Sequence, residues 1–151
     1  MRNDNMKTSE KGIEFIKQHE GYMAHSYQDA AGVWTIGYGT TRYPDGRHVG
    51  GGEHCTTAQA TEYLRYDLAR FEDCINHYVT VELTQNQFDA LASFTYNLGC
   101  GALKKSTLLR KLNARNYEGA ANEILRWVHA GHHVLRGLVA RRAEEHDMFL
   151  A

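Results

Sequence analysis

Proline occurs once in 151 residues, at Pro44, and the chain holds no internal repeat and no low-complexity tract. That excludes a repeat array or a linker-rich assembly. Cysteine is scarce and odd in number: Cys55, Cys74 and Cys100, with no CxxC pair. So sparse a set does not read as a disulfide framework, and the expectation is reduced thiols in a protein made in the cytosol. No apolar run approaches the ~20 residues that a membrane-spanning helix needs. The opening MRNDNMKTSEKG lacks the apolar core of a secretory signal. The sequence thus predicts a polar, loose start, no stable membrane insertion, and help from another protein if the target lies beyond a membrane. GxxxxGK, GxGxxG and nucleic-acid signatures are absent, so neither nucleotide nor nucleic acid is an expected partner.

What is present is ordinary for a globular chain: 42% hydrophobic, 23% charged, net charge −1. The length fits one domain or two small lobes sharing a core. Charge is uneven along it. Residues 1–99 carry 8 Lys/Arg against 13 Asp/Glu, and residues 100–151 carry 9 against 5. A basic C-terminal third suits an acidic polymer, and equally a solvated helical surface.

Glycine is concentrated instead of scarce. Eight of 14 glycines fall in residues 21–52. There V33–T40 alternates in strand fashion, with Trp34, Ile36 and Tyr38 on one face, and PDG at 44–46 marks a turn. Two or three short antiparallel strands are expected there. Around this region the pattern is helical. Thr8 reads as the N-cap of a helix over 8–20 that Gly21 stops. A long helix follows over about 57–78. T84-Q-N-Q87 is a capping box, Ser106 and Asn116 open two more helices, and a last one runs from about Val134 to Phe149. The fold class is α+β: a small lobe over about 19–56, a linking helix over about 57–78, and a helical lobe over about 79–151 packed with the N-terminal helix.

Within HEGYMAHSYQDAAGVWTIGYGTT (19–41) stand two carboxyls in different settings. Glu20 sits at a helix C-terminus, where the dipole disfavours its charged form, as a general acid requires. Asp29 sits among small residues in D-A-A-G, where amides and water can keep it ionised. One acid and one base or electrostatic stabiliser is the arrangement of glycosidic cleavage. Thr35 has Gly37 and Gly39 as same-face neighbours, which predicts an open face and a hydroxyl able to hold a water beside Asp29. On chemistry alone, a solvated helix end, an Asx turn and a strand filler fit these three residues as well.

Glu20, Asp29 and Thr35, in E-G and D-x-x-G-x-W-T-I-G-Y-G-T, resemble the catalytic Glu–Asp–Thr signature of phage-type lysozymes, glycoside hydrolase family 24. The likeness continues in LTQNQFDALASFTYNLGCGALKKSTLL (83–109) and in EILRWVHAG and LRGLVARRAEE (123–145), and it covers nearly the whole chain. Within the family it is similar to endolysins of lambdoid phages and prophages. The resemblance implies a lysozyme-like fold with substrate between the lobes. It implies hydrolysis of the β-1,4 bond between N-acetylmuramic acid and N-acetylglucosamine in bacterial peptidoglycan, lysing the host wall at the end of a phage cycle. Glu20 would be the acid, Asp29 would direct the attacking water, and Thr35 would help hold it, on an inverting path. No metal or organic cofactor is implied. The enzyme would be a monomer made in the host cytoplasm, reaching the wall after a phage holin opens the membrane. Candidate substrate-binding residues are Asn97, for an N-acetyl group or stem peptide; Arg141 and Arg142, for stem-peptide carboxylates or to orient Glu20; and Tyr38, for stacking on a sugar. His129, His132 and His133 depart from the family pattern, and a chance metal site there is weighed. A glycan-binding module that does not cut, and an amidase using Cys55 or Cys100, are the competing readings.

Overall fold

A computed structural model describes residues 5–151, so the expected loose start over residues 1–4 lies outside the described residues. The chain forms two compact units: Ile13–Arg70, and a helical unit made of the residues through Gly12 with Phe71–Ala151. The divisions fall inside the first two helices, α1 (Glu10–Glu20) and α2 (Thr57–Tyr78).

In the unit Ile13–Arg70, α1 ends where expected. The Gly21 N–H bonds the Lys17 carbonyl at 2.9 Å, and Gly21 has φ +75°, a backbone state that glycine adopts without strain. Strand β1 (Met23–Gln28) pairs antiparallel with β2 (Trp34–Gly37), Tyr27 opposite Thr35 and Gln28 opposite Trp34. The strand stops sooner than its alternation predicts. Gly37 has φ +67°, and a turn through Tyr38 and Gly39 returns the chain so that Ile36 and Thr40 exchange two backbone bonds of 2.9 Å. Further bridges join His25 to His54 and Arg42 to His48. Thr56 and Gln59 form a capping box at the start of α2, each backbone N–H bonding the other's side chain. Ala60, Leu64 and Leu68 line the buried face of α2 at helical spacing.

In the helical unit, α3 (Gln85–Leu98) has the predicted capping box of Thr84 and Gln87. Four shorter elements follow: α4 (Cys100–Lys105), α5 (Thr107–Asn113, capped by Ser106), α6 (Tyr117–Ile124, capped by Asn116), and a hairpin of β3 (His129–Ala130) with β4 (His133–Val134). Helix α7 (Arg136–Leu150) closes the chain. One apolar cluster joins them, with Phe88, Leu91, Phe94, Leu103, Leu108, Leu112, Ile124 and Phe149 all at or below 1% exposure. Fully burying each such side chain favours folding by about 1.5–3 kcal/mol.

Two expectations are corrected here. Thr8 does not cap α1: its N–H and hydroxyl both donate to Glu72 Oε2, at 2.8 and 2.7 Å. Ser9 takes the role, its Oγ accepting from the Gly12 N–H at 3.2 Å while it donates to Asp89. Nor are the thiols all reduced. Cys74 on α2 is disulfide-bonded to Cys100 at the start of α4, with Cα atoms 6.1 Å apart; only Cys55 is free, and it is buried. Spacing gave no signal, because the pair meets only once α3 folds back along the chain.

Candidate active site

Asp29 stands at the turn between β1 and β2, exposed to water and held from one side. Its Oδ1 accepts from the N–H groups of Ala31 and Val33, both at 2.9 Å. The turn is closed by Asp29 N–H to Val33 O and Gly32 N–H to Asp29 O, each 2.9 Å. Gly32 has φ +80°, so a side chain there would strain the turn. Oδ2 has no protein partner among the described residues. The Asx-turn reading and the functional one are therefore one geometry: the turn fixes the carboxylate and leaves one oxygen in solvent.

Glu20 is the last residue of α1, half-buried, followed at once by the Gly21 turn into β1. Thr35 lies on β2 and is 4% exposed; its hydroxyl donates to the Val33 carbonyl at 3.0 Å. The expected open face is closed at Gly37, where a Cβ would lie 3.0 Å from Ala60 on α2, so this glycine lets the strand pack against the helix; Gly39 is exposed. What stays available at Thr35 is the hydroxyl oxygen, which can still accept a hydrogen bond.

Tyr38 is 8% exposed, its ring packed against Tyr22 with centroids 5.7 Å apart and Lys17 Nζ above it at 5.5 Å. The more accessible aromatic is Tyr22, two residues after Glu20, its hydroxyl tied to the Cys55 carbonyl at 2.7 Å. The sequence pointed to Tyr38 and not to Tyr22, because nothing in a linear pattern says which of two tyrosines turns inward.

The other candidates belong to the helical unit. Arg141 and Arg142, expected to meet stem-peptide carboxylates or to orient Glu20, are 5% and 0% exposed. Both face Glu145 on the same helix: Arg141 Nε lies 3.3 Å from Oε2, and Arg142 Nε lies 2.8 Å from Oε1. Ser93 Oγ donates to Glu145 Oε2 at 2.6 Å, and Arg141 donates to the Ser93 carbonyl at 3.1 Å. Burial pushes the Glu145 carboxyl above the ordinary range, against the pull of Arg142, Ser93 and Arg141. Asn97, in the last turn of α3, accepts on its Oδ1 a hydrogen bond from Arg142 Nη2 at 2.7 Å. The structure thus joins Asn97, Arg141 and Arg142 to one another, with Glu145 and Ser93 as the partners that sequence reasoning missed.

Neither cysteine alternative survives. Cys100 is bonded to Cys74, and burial raises the Cys55 thiol, the opposite of what a nucleophile needs. His129 and His133 sit on the exposed β3–β4 hairpin and His132 between the strands. Among the described residues, no group of three His, Cys, Asp or Glu side chains could hold a metal ion. No helix among them is long and apolar enough to cross a membrane.

Comparison with known proteins agrees with the resemblance. The phage lysozyme family model matches residues 17–145. The endolysin of Salmonella phage P22 is 41% identical over 146 residues, covering 97% of this chain and 99% of its own length. The endolysin of Bacillus phage B103 is 42% identical over 151 residues, covering 96% of this chain; the match spans 54% of that longer protein. Among solved structures, the endolysin of Escherichia coli O157:H7 phage FAHEc1 superposes with a TM-score of 0.92 at 39% identity, covering 99% of this chain and 96% of its own. A turn-held aspartate nine residues after a helix-terminal glutamate, in a chain matched over nearly its whole length, places the protein in the phage lysozyme family.

Proposed function

We propose that Glu20, Asp29 and Thr35 carry the chemistry of this enzyme. The chain is a lysozyme, a glycosidase that cleaves the β-1,4 bond between N-acetylmuramic acid and N-acetylglucosamine in bacterial peptidoglycan and serves lysis of the host wall by a phage. The observation that carries the residue assignment is the divided carboxylate of Asp29. Its Oδ1 is fixed by two backbone amides, and its Oδ2 faces solvent. A carboxylate so held needs little reorganisation to orient a water, take its proton and stabilise positive charge on the sugar ring.

Glu20 donates its proton to the leaving oxygen. Water attacks from the Asp29 side, held also by the Thr35 hydroxyl, whose own proton is engaged by the Val33 carbonyl. The product anomer is inverted, which calls for carboxyls about 6.5–9.5 Å apart with room for water between them. Tyr22 offers an aromatic edge for substrate beside Glu20. Asn97, Arg141 and Arg142 act from within the helical unit, holding α7 to α3.

The enzyme works as a monomer, is made in the host cytoplasm, and reaches the wall after a holin opens the membrane. The deciding experiment compares reducing-end release from purified peptidoglycan by wild type and Glu20→Gln, with circular dichroism of both. Removal of the acid is expected to lower the rate by at least about 10²-fold without loss of fold. Equal rates would overturn the assignment of Glu20, and wall binding without release by wild type would make the chain a glycan-binding module. Proton NMR of the first-formed anomer checks inversion. Lysis on expression with and without a holin checks the route.

A further inference from the structure

Glu20 ends α1, and the residue after it packs against nothing. A Cβ on Gly21 would meet no atom within 4 Å, and its φ of +75° is a state that glycine leaves as easily as it enters. An acid that protonates a glycosidic oxygen must stand within about 2.6–3.2 Å of it. A loose hinge directly beside that acid would spoil its placement, so the next residue along must supply the anchor.

That residue is Tyr22. Its hydroxyl donates to the Cys55 carbonyl at 2.7 Å, and the Cys55 N–H donates to the Ala24 carbonyl at 2.8 Å. Both backbone groups of Cys55 are thus gripped by the chain just beyond the hinge. Cys55 is a firm point to hold: it is 5% exposed, and Thr56, next in the chain, opens the capping box of α2. The segment 53–55 is also tied to β1 by the His25–His54 bridge and by the Ser26 N–H to the Glu53 carbonyl, 2.8 Å. A bulge makes that pairing possible. Met23 to Tyr27 is four steps along β1, against two from Thr35 to Gly37 on β2, so residues 24–26 turn away from β2 and pair with 53–55. The Tyr22 ring rests on Tyr38, and burial, with Cys55 and Tyr38 beside it, pushes the phenol above its ordinary range, so it remains a donor. At 36% exposure, water can reach the Cys55 carbonyl if the hydroxyl is lost, so the fold does not depend on this bond. Resting on the assignment of Glu20 as the acid, we infer that Tyr22 is a positioning residue: its hydroxyl, locked on the Cys55 carbonyl, fixes the Gly21 hinge and so holds the Glu20 carboxyl to the leaving oxygen.

The test is Tyr22→Phe in the full chain, which keeps the ring and removes one oxygen. On soluble peptidoglycan strands kcat should fall about five- to twentyfold, with KM changed by less than about twofold. A dinitrophenyl glycoside of the same glycan needs no acid, because its phenolate leaves unprotonated; there the loss should shrink to about twofold or less. An equal loss on both substrates marks a general loosening of the unit and overturns the inference, as does no loss on either. Glu20→Gln is measured alongside: a full rate on the strands would overturn the assignment of the acid itself. Amide hydrogen exchange needs no turnover and separates the two failures. The Gly21 N–H, bonded to the Lys17 carbonyl, should exchange at least about threefold faster in Tyr22→Phe. The Phe88 N–H, bonded to the Thr84 carbonyl in the helical unit, should exchange as in wild type. Unchanged exchange at Gly21 overturns the role of Tyr22 whatever Glu20 does.

Discussion

In the helical unit the carboxylate of Glu145 is 0% exposed and is met entirely by side chains: two guanidiniums and a serine hydroxyl. In the unit Ile13–Arg70 the carboxylate of Asp29 stands in water and is held by the amides of its own turn. The first is positioned by packing, the second by backbone geometry. A turn can fix one carboxylate oxygen and leave the other in water, which burial among side chains does not allow. Glu53 is a further case: Tyr43 Oη donates to Oε1 at 2.6 Å and the Gly50 N–H at 3.1 Å, and these bonds hold its carboxyl below the ordinary range.

The contrast breaks most visibly at Glu145. Glu145→Gln removes the buried charge that two guanidiniums meet and should cost about 3–5 kcal/mol. In a chain of this size, that lowers Tm by roughly 10 °C or more. Glu53→Gln, whose tyrosine and amide donors can still bond the side-chain carbonyl, should lower Tm far less in the same melt. Next in size is the disulfide. Cys74→Ser should cost about 2–4 kcal/mol, and a reducing agent should lower the melting point of wild type but not of the variant. Gly32→Ala forces a side chain into a left-handed turn and should cost about 1 kcal/mol. Its larger readout is activity, which should fall as the Asp29 turn distorts while the helical unit, followed by the fluorescence of Trp127, melts nearly as before.

The smallest effect sharpens the comparison within one unit. Burial raises the Asp67 carboxyl, more than the Thr40 hydroxyl and Arg70 lower it. Below the unfolded value, near 4, both states hold the proton. Above it the folded state binds more, so stability falls as pH rises through the raised value. Glu53 has the opposite sign: its stabilisation is present above the unfolded value and is lost as pH falls through the lowered one. Urea melts across pH 3–8 should show Asp67→Asn gaining on wild type as pH rises, and Glu53→Gln losing on it over the same climb.

Helices were legible wherever caps and periodicity agreed. The box at Thr84 and Gln87 and the stop at Gly21 both sit where the residues put them. Thr8 misled because a hydroxyl before a helix can also serve a distant carboxylate, and Glu72 claims it. The β1–β2 pair was legible, but not its end at Gly37, where a positive φ outweighs the alternation of Trp34, Ile36 and Tyr38. At the site, Glu20 and Asp29 were visible as types in a suggestive order. That Thr35 is packed away, that Arg141 and Arg142 turn inward, and that Cys74 meets Cys100 all depend on contacts between distant stretches. The hairpin at His129–Val134 escaped notice because two-residue strands leave no period to read.

The Cys74–Cys100 bond also bears on how long such a protein lasts once outside the cell membrane. The two sulfurs enclose all of α3, 26 residues apart in sequence. A protease that cuts once between them does not release a fragment: the pieces remain one molecule, with the chain after Cys100 still tied to α2. Reclosing the cut ends is then a local search instead of a meeting of two bodies in solution, and a nicked chain can keep its helical core.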